Sequence, residues 1–179
     1  VVIVDGLTKS FRYPGWRLAW IIGPKDVIEN VGKAASGIDG GPSLPIQRAT
    51  LRLLKPKRVI KETNALRAVF SSKQTLTLKA LRKCGMICSD DANSTFYIWA
   101  DISKLQSPLN NSEHFFREAL KHNVLVVPGR MFDIQPGEKK RKSAFDQYIR
   151  ISFGPDKKNL KMGLKRIATL IQSHALQNS

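Results

Sequence analysis

Asp5-Gly6-Leu7-Thr8-Lys9-Ser10-Phe11-Arg12-Tyr13-Pro14-Gly15-Trp16-Arg17-Leu18-Ala19-Trp20 is the stretch on which the reading of this chain turns. It is preceded by Val1 to Val4, a continuous apolar and mostly β-branched run. Such a run reads as a strand buried on both faces, as in a parallel sheet. Trp16 to Ile22 reads as a second strand. A lysine is thereby placed in a loop, Asp5 to Gly15, between two strands. An arginine follows it eight residues later, in a Pro-Gly-Trp-Arg turn.

Beyond the second strand, Pro24-Lys25-Asp26 opens a helix to about Ala35, with Val27, Ile28 and Val31 on one face. Ser36 to Pro42 is a loop by its Gly, Ser and Pro content. A short helix is expected over Pro45–Leu54. Pro56 begins a helical pattern that reaches about Lys83, where Gly85 is a stop signal. Beyond it the pattern becomes α+β. Strands are expected over Ser94–Ile102, Val124–Val127 and Gln147–Phe153. Asn111-Ser112-Glu113 caps a helix over Glu113–His122. Residues 135–143 form a basic loop, and Asp156 caps a last helix with Leu160, Leu164, Ile167 and Ile171 on its apolar face.

Composition narrows the class. The chain has 179 residues, of which 42% are hydrophobic, enough for a real core. No run approaches the roughly 18 to 20 apolar residues of a membrane span, and Val1 to Asp5 lacks the charged start and long apolar stretch of a signal peptide. The 30 Lys and Arg against 14 Asp and Glu give a formal charge of +16. That invites a nucleic-acid reading, but no helix-turn-helix, zinc-finger or RNA-binding pattern accompanies it. The charge is instead read as solvated helix faces, with nucleic acid not expected as a partner. Cys84 and Cys88 form a C-x3-C without further ligands, a poor zinc site, and two free thiols are expected. His114, His122 and His174 show no metal-ligand spacing, so no metal is expected.

The Lys9 to Arg17 segment, with Trp20-Ile21-Ile22-Gly23-Pro24 after it, resembles the signature of fold-type I aminotransferases of class I/II. That signature has the form S-x-S-K followed by PGxRxGW. The resemblance implies pyridoxal 5'-phosphate (PLP) as cofactor, with Lys9 holding it as a Schiff base. It also implies Arg17 and Thr8 as phosphate ligands. The chemistry agrees. A lysine in a confined site loses proton affinity and becomes nucleophilic. A guanidinium grips two phosphate oxygens at once. Thr8 and Ser10 offer hydroxyls, and Gly15 permits a tight turn. The sequence departs from the family at Gly6, where Ser is common. The phosphate is expected to lose one hydroxyl contact, about 1 kcal/mol, with Arg12 a weak candidate to replace it.

Further matches lie downstream. Tyr148-Ile149-Arg150-Ile151-Ser152-Phe153-Gly154 looks like the family strand whose arginine binds the substrate α-carboxylate, which assigns that role to Arg150. Val126-Val127-Pro128-Gly129-Arg130-Met131-Phe132 resembles the family's VVPGxxF, and Phe96-Tyr97-Ile98-Trp99 its GxFxW strand. Most of those aromatics are expected to pack in a core. Gly37 to Ser43 sits where the family has a loop reaching a neighbouring subunit.

The resemblance implies an α/β fold, the C-terminal portion of a fold-type I PLP-dependent transferase. Residues 1–55 are the remnant of a PLP-binding large domain, 56–84 a linking helix and 85–179 a small α+β domain. It further implies a cytoplasmic, homodimeric parent that moves an amino group between an α-amino acid and a 2-oxo acid by a ping-pong course. The parent's upstream part is expected to complete the first sheet and supply the acid that pairs with the pyridine nitrogen. Asp5 is too close to Lys9 for that role. Lyases and decarboxylases share the fold and cofactor, and a PLP-binding regulatory domain of a transcription factor is the rival from another class.

Overall fold

The computed structural model describes residues 1–89, 94–134 and 143–177. The basic run Lys139 to Lys142 lies outside the described residues. The chain divides into two compact units, Val1–Arg67 and Ala68–Ser179.

In the first unit, β1 (Ile3–Gly6) pairs with β2 (Ala19–Ile22) in an antiparallel ladder, from Ile3 opposite Ile22 to Gly6 opposite Ala19. The expected parallel, doubly covered strand is therefore corrected. The connection folds straight back instead of crossing over. It contains a single turn of helix, α1 (Leu7–Ser10), and a 3-10 turn over Pro14–Trp16. The Leu7 N–H donates to Leu18 O, and Tyr13 N–H to Leu7 O, which closes the excursion. β1 is also solvent-facing, with Ile3 53% and Val4 68% exposed. The second strand is shorter than expected because Pro14-Gly15-Trp16 takes the 3-10 turn and Arg17 a left-handed conformation.

Two helices follow, α2 (Lys25–Ile38) and α3 (Leu44–Leu53). α2 runs past the expected stop at Ala35, so only the end of the predicted 36–42 loop is loop. The unit's core is small. Leu7, Phe11, Leu18 and Leu53 are buried together, with Tyr13, Trp16, Trp20, Ile46 and Val59 packed around them. α4 (Pro56–Lys83) spans the predicted bounds and crosses from the first unit to the second. Gly85, at φ +85°, stops it where a Cβ-bearing residue would be strained.

The second unit is built on a four-stranded antiparallel sheet in the order β3-β4-β6-β5. Its strands are β3 (Ile87–Cys88), β4 (Tyr97–Asp101), β5 (Val127–Pro128) and β6 (Tyr148–Ser152). Two helices join it, α5 (Ser112–Lys121) and α6 (Lys157–Gln177). Alternation along the strands sorts the side chains, as a period of two requires. Ile98 and Ala100 of β4, with Ile149 and Ile151 of β6, enter a core shared with Leu81, Phe115, Ala119, Leu160, Leu164 and Ile167. Each fully buried leucine, isoleucine or phenylalanine among them contributes roughly 1.5 to 3 kcal/mol. The intervening residues Tyr97, Trp99, Tyr148 and Arg150 therefore lie on the opposite face. α5 is capped as expected, Asn111 Oδ1 accepting from the Glu113 and His114 amides. α6 is capped by Asp156, whose Oδ1 accepts from Lys158 and Asn159. The Lys73 ammonium donates to Gly154 O and Pro155 O, tying the second half of α4 to the turn before α6.

Candidate functional site

The predicted site residues fall on both units, and the geometry of each is local. In the first unit, Leu7 and Phe11 are buried and stand four apart, so they anchor one side of α1. This leaves Thr8 half-buried and Lys9 and Ser10 on the exposed side. Lys9 thus sits on one turn of helix and not in the irregular loop expected. Arg17 follows a stacked pair, Tyr13 and Trp16, with ring centroids 4.7 Å apart. Its backbone is left-handed, at φ 50°. A non-glycine residue held there carries about 1 kcal/mol of strain. The Arg17 Nη1 donates to Pro14 O at 2.9 Å, its one hydrogen bond among the described residues. Most of its donors therefore face outward, and a guanidinium carries five.

The neighbouring polar groups are engaged. Asp5 Oδ1 accepts from the Gly6 amide and from Ser10 Oγ. The Ser10 hydroxyl is thereby directed at Asp5, and Asp5 has a local structural task. Arg12 pairs with Glu62 of α4, so it does not stand in for the absent hydroxyl at position 6. A Cβ on Gly6 would lie 2.8 Å from Leu18 O and 2.9 Å from Ala19 Cα. The close approach of β1 and β2 leaves no room there for the family's serine without a shift of backbone. The donor set of this segment, an arginine fork, a half-buried threonine hydroxyl and a lysine amine, fits an aldehyde that carries a phosphate.

In the second unit, Arg150 lies on β6, between Trp99 of β4 and Val127 of β5 in register. Its guanidinium carbon stands 4.1 Å from the Tyr97 ring centroid and 4.6 Å from that of Phe132. Its Nε is buried and has no hydrogen-bond partner among the described residues. A buried donor left unpaired costs about 1 to 3 kcal/mol, so an anionic ligand is its natural complement. Trp99 extends the aromatic surface, stacked on Tyr148 at 5.6 Å and edge-on to Phe132 at 5.4 Å. Sequence reasoning treated Tyr97 and Trp99 mainly as core. Ile98 and Ala100 take the core, and the two aromatics face Arg150's side. The period-two alternation of Tyr97 to Asp101 carried that signal. Phe132 carries no signal of its own in the sequence beyond its motif, and its approach to Arg150 depends on the 3-10 turn over Gly129–Phe132.

A helix-rich first unit, the long helix α4 and an antiparallel sheet backed by helices match part of a fold-type I transferase architecture. Residues 1–167 match the family described as aminotransferase class I and II, and the chain belongs to it. Members of this family are PLP-dependent. The chain is 29% identical over 164 residues to LL-diaminopimelate aminotransferase of Halothermothrix orenii, covering 91% of this chain and 38% of that protein. It is 24% identical over 173 residues to an aspartate aminotransferase of Sulfurisphaera tokodaii, covering 96% and 41%. Among solved structures it resembles an aromatic aminotransferase from Pyrococcus horikoshii. The TM-score is 0.83 at 27% identity, over 98% of this chain and 44% of that one. It also resembles an aspartate aminotransferase of Thermus thermophilus determined with maleate, at TM-score 0.80 and 25% identity, over 94% and 41%. The chain thus spans about two fifths of the length of the relatives it matches. Among the described residues, no helix is long and apolar enough to cross a membrane.

Proposed function

We propose that this chain supplies the cofactor lysine and the carboxylate-binding arginine of a PLP-dependent aminotransferase. The parent moves an amino group between an α-amino acid and a 2-oxo acid, as a cytoplasmic homodimer. The observation that carries this is the Asp5–Trp20 segment. It presents Lys9 on the exposed side of an anchored helical turn and Arg17 in a strained backbone with its donors outward.

Each residue then has a task. Lys9 Nζ holds the cofactor covalently, and once displaced it carries the proton removed from the substrate α-carbon. Arg17 and Thr8 bind the phosphate. PLP, when bound, supplies the electron sink that makes the α C–H bond labile. Arg150 binds the substrate α-carboxylate and so fixes the orientation of that bond. The acid that pairs with the pyridine nitrogen is not Asp5, whose carboxylate is committed to Gly6 and Ser10.

The test is visible absorbance of this chain and of a longer parent with added PLP, before and after borohydride reduction. A band fixed by borohydride, and abolished by Lys9→Ala, supports the assignment. Failure of both proteins to bind PLP sinks it. With the parent, amino-group transfer to an added 2-oxo acid, lost in Arg150→Met through a raised KM, checks the role of Arg150.

A further inference from the structure

We propose that the aromatic face around Arg150 selects substrates whose side chain is aromatic or bulky and apolar, with Phe132 and Trp99 as the specificity-determining residues. The inference rests on Arg150 as the carboxylate anchor and goes further by naming what lies beyond the carboxylate.

A carboxylate gripped by both arms of a guanidinium lies in the guanidinium plane, and its α-carbon lies in that plane too. The α-carbon is tetrahedral, so at least two of its three remaining substituents leave the plane, one on each side, and the side chain can take either of those directions. Two rings flank the guanidinium here, Tyr97 at 4.1 Å and Phe132 at 4.6 Å from its carbon. The Tyr97 side is the more closed, because that ring is half-buried and packs on Phe96 at 4.3 Å. Among the described residues, nothing closes the Phe132 side. Phe132 is 37% exposed, and Trp99, 36% exposed, meets it edge-on at 5.4 Å. A side chain leaving on that side runs along a ring pair whose faces and edges are still available to solvent. Aromatic rings favour offset or edge-to-face partners, so a phenyl or indole group gains there what a second carboxylate does not. The rings also screen Arg150 from water, which strengthens its hold on one carboxylate.

The test uses the full 179-residue chain without cofactor, so its outcome is independent of Lys9. 3-Phenylpropanoate and succinate are titrated separately while the Trp99 indole N–H signal is followed by NMR, that signal being assigned with Trp99→Phe. The proposal expects 3-phenylpropanoate to saturate at about tenfold lower concentration than succinate, the size of preference one added ring contact supplies. Phe132→Ala should erase most of that difference, weakening 3-phenylpropanoate far more than succinate. Phe132→Leu serves if the alanine variant melts early. Arg150→Met, or Arg150→Lys should the methionine variant misfold, should weaken both acids. Equal or tighter binding of succinate through Arg150, or a preference that survives Phe132→Ala, overturns the proposal and leaves the carboxylate anchor standing. If neither acid shifts the signal, or binding ignores Arg150, the anchor fails and the proposal with it.

Discussion

Gly129 shows how a motif residue becomes legible only in three dimensions. A Cβ there would stand 2.5 Å from Phe145 O and 2.6 Å from Tyr148 O. The position demands glycine for space, because the backbone leading into β6 passes directly over it. Gly129→Ala must push that backbone aside and disturb the aromatic face that includes Phe145 and Tyr148. We expect a loss of about 3 kcal/mol in urea unfolding, the upper end of overpacking costs, with little change in the first unit. Gly6 poses the same question with a different sign from the one its sequence suggests. From the family pattern, Gly6→Ser should restore a phosphate ligand. From the structure, its Cβ strikes Leu18 O at 2.8 Å and parts β1 from β2. Gly6→Ser should therefore lower the melting temperature and reduce borohydride-trapped PLP on Lys9. Tighter PLP retention at an unchanged melting temperature would show that the ladder yields and the serine serves the phosphate.

Elements whose ends are set by local chemistry were the most legible. α4 begins at Pro56 and ends before Gly85, α5 follows an Asn cap, and α6 follows an Asp cap, each as its sequence expects. The short strands β3 and β5 are barely legible: the sequence gives no sign of the first, and it puts the second at Val124–Val127 where the structure has Val127–Pro128. Two residues are too few for a periodic pattern, and their pairing depends on β4 and β6 far away in sequence. The direction of β1 was misread because a β-branched run signals a strand without naming its partner. Arg150 was legible from its strand, whereas the rings over it were not, since Phe132 arrives from a different segment. The α6 cap also makes a pH prediction. Hydrogen bonds from the Asn159 amide, the Asn159 side chain and the Lys158 amide hold the Asp156 carboxyl below the ordinary carboxylate range. A carboxyl lowered by folding adds stability above its unfolded pKa, and that share disappears as pH falls through the folded value. Asp156→Asn keeps an acceptor and loses the charge. The wild-type chain should melt higher than Asp156→Asn at pH 6 and lose that advantage below about pH 4, near the ordinary aspartate value. An advantage that persists unchanged at pH 2.5 would contradict an ionised cap.

For the whole molecule, the two units differ in how much apolar surface they bury. The first gathers Leu7, Phe11, Leu18 and Leu53 and leaves Val1 to Val4 and Ile22 largely open to solvent. The second surrounds the inner face of a four-stranded sheet with side chains from α4, α5 and α6. A two-stranded ladder exposed in this way is marginal by itself, whereas a sheet backed by helices is not. Local opening free energy follows buried contacts, and amide exchange reports it residue by residue. The amides that pair β4 with β6, between Ile98 and Ile151, should therefore exchange slowest. Those that pair β1 with β2 should exchange faster by at least about tenfold, a difference of only 1.4 kcal/mol in opening. If PLP joins Lys9 as proposed, its phosphate holds Arg17 at the end of the β1–β2 connection. Adding PLP should then slow exchange in β1 and β2 and leave β4 and β6 as they were, because a ligand stabilises what it binds in the folded form. Equal protection of both ladders without PLP would refute the difference in burial as the governing cause. Slowing confined to the β4–β6 ladder on adding PLP would place the cofactor on the wrong unit for Lys9.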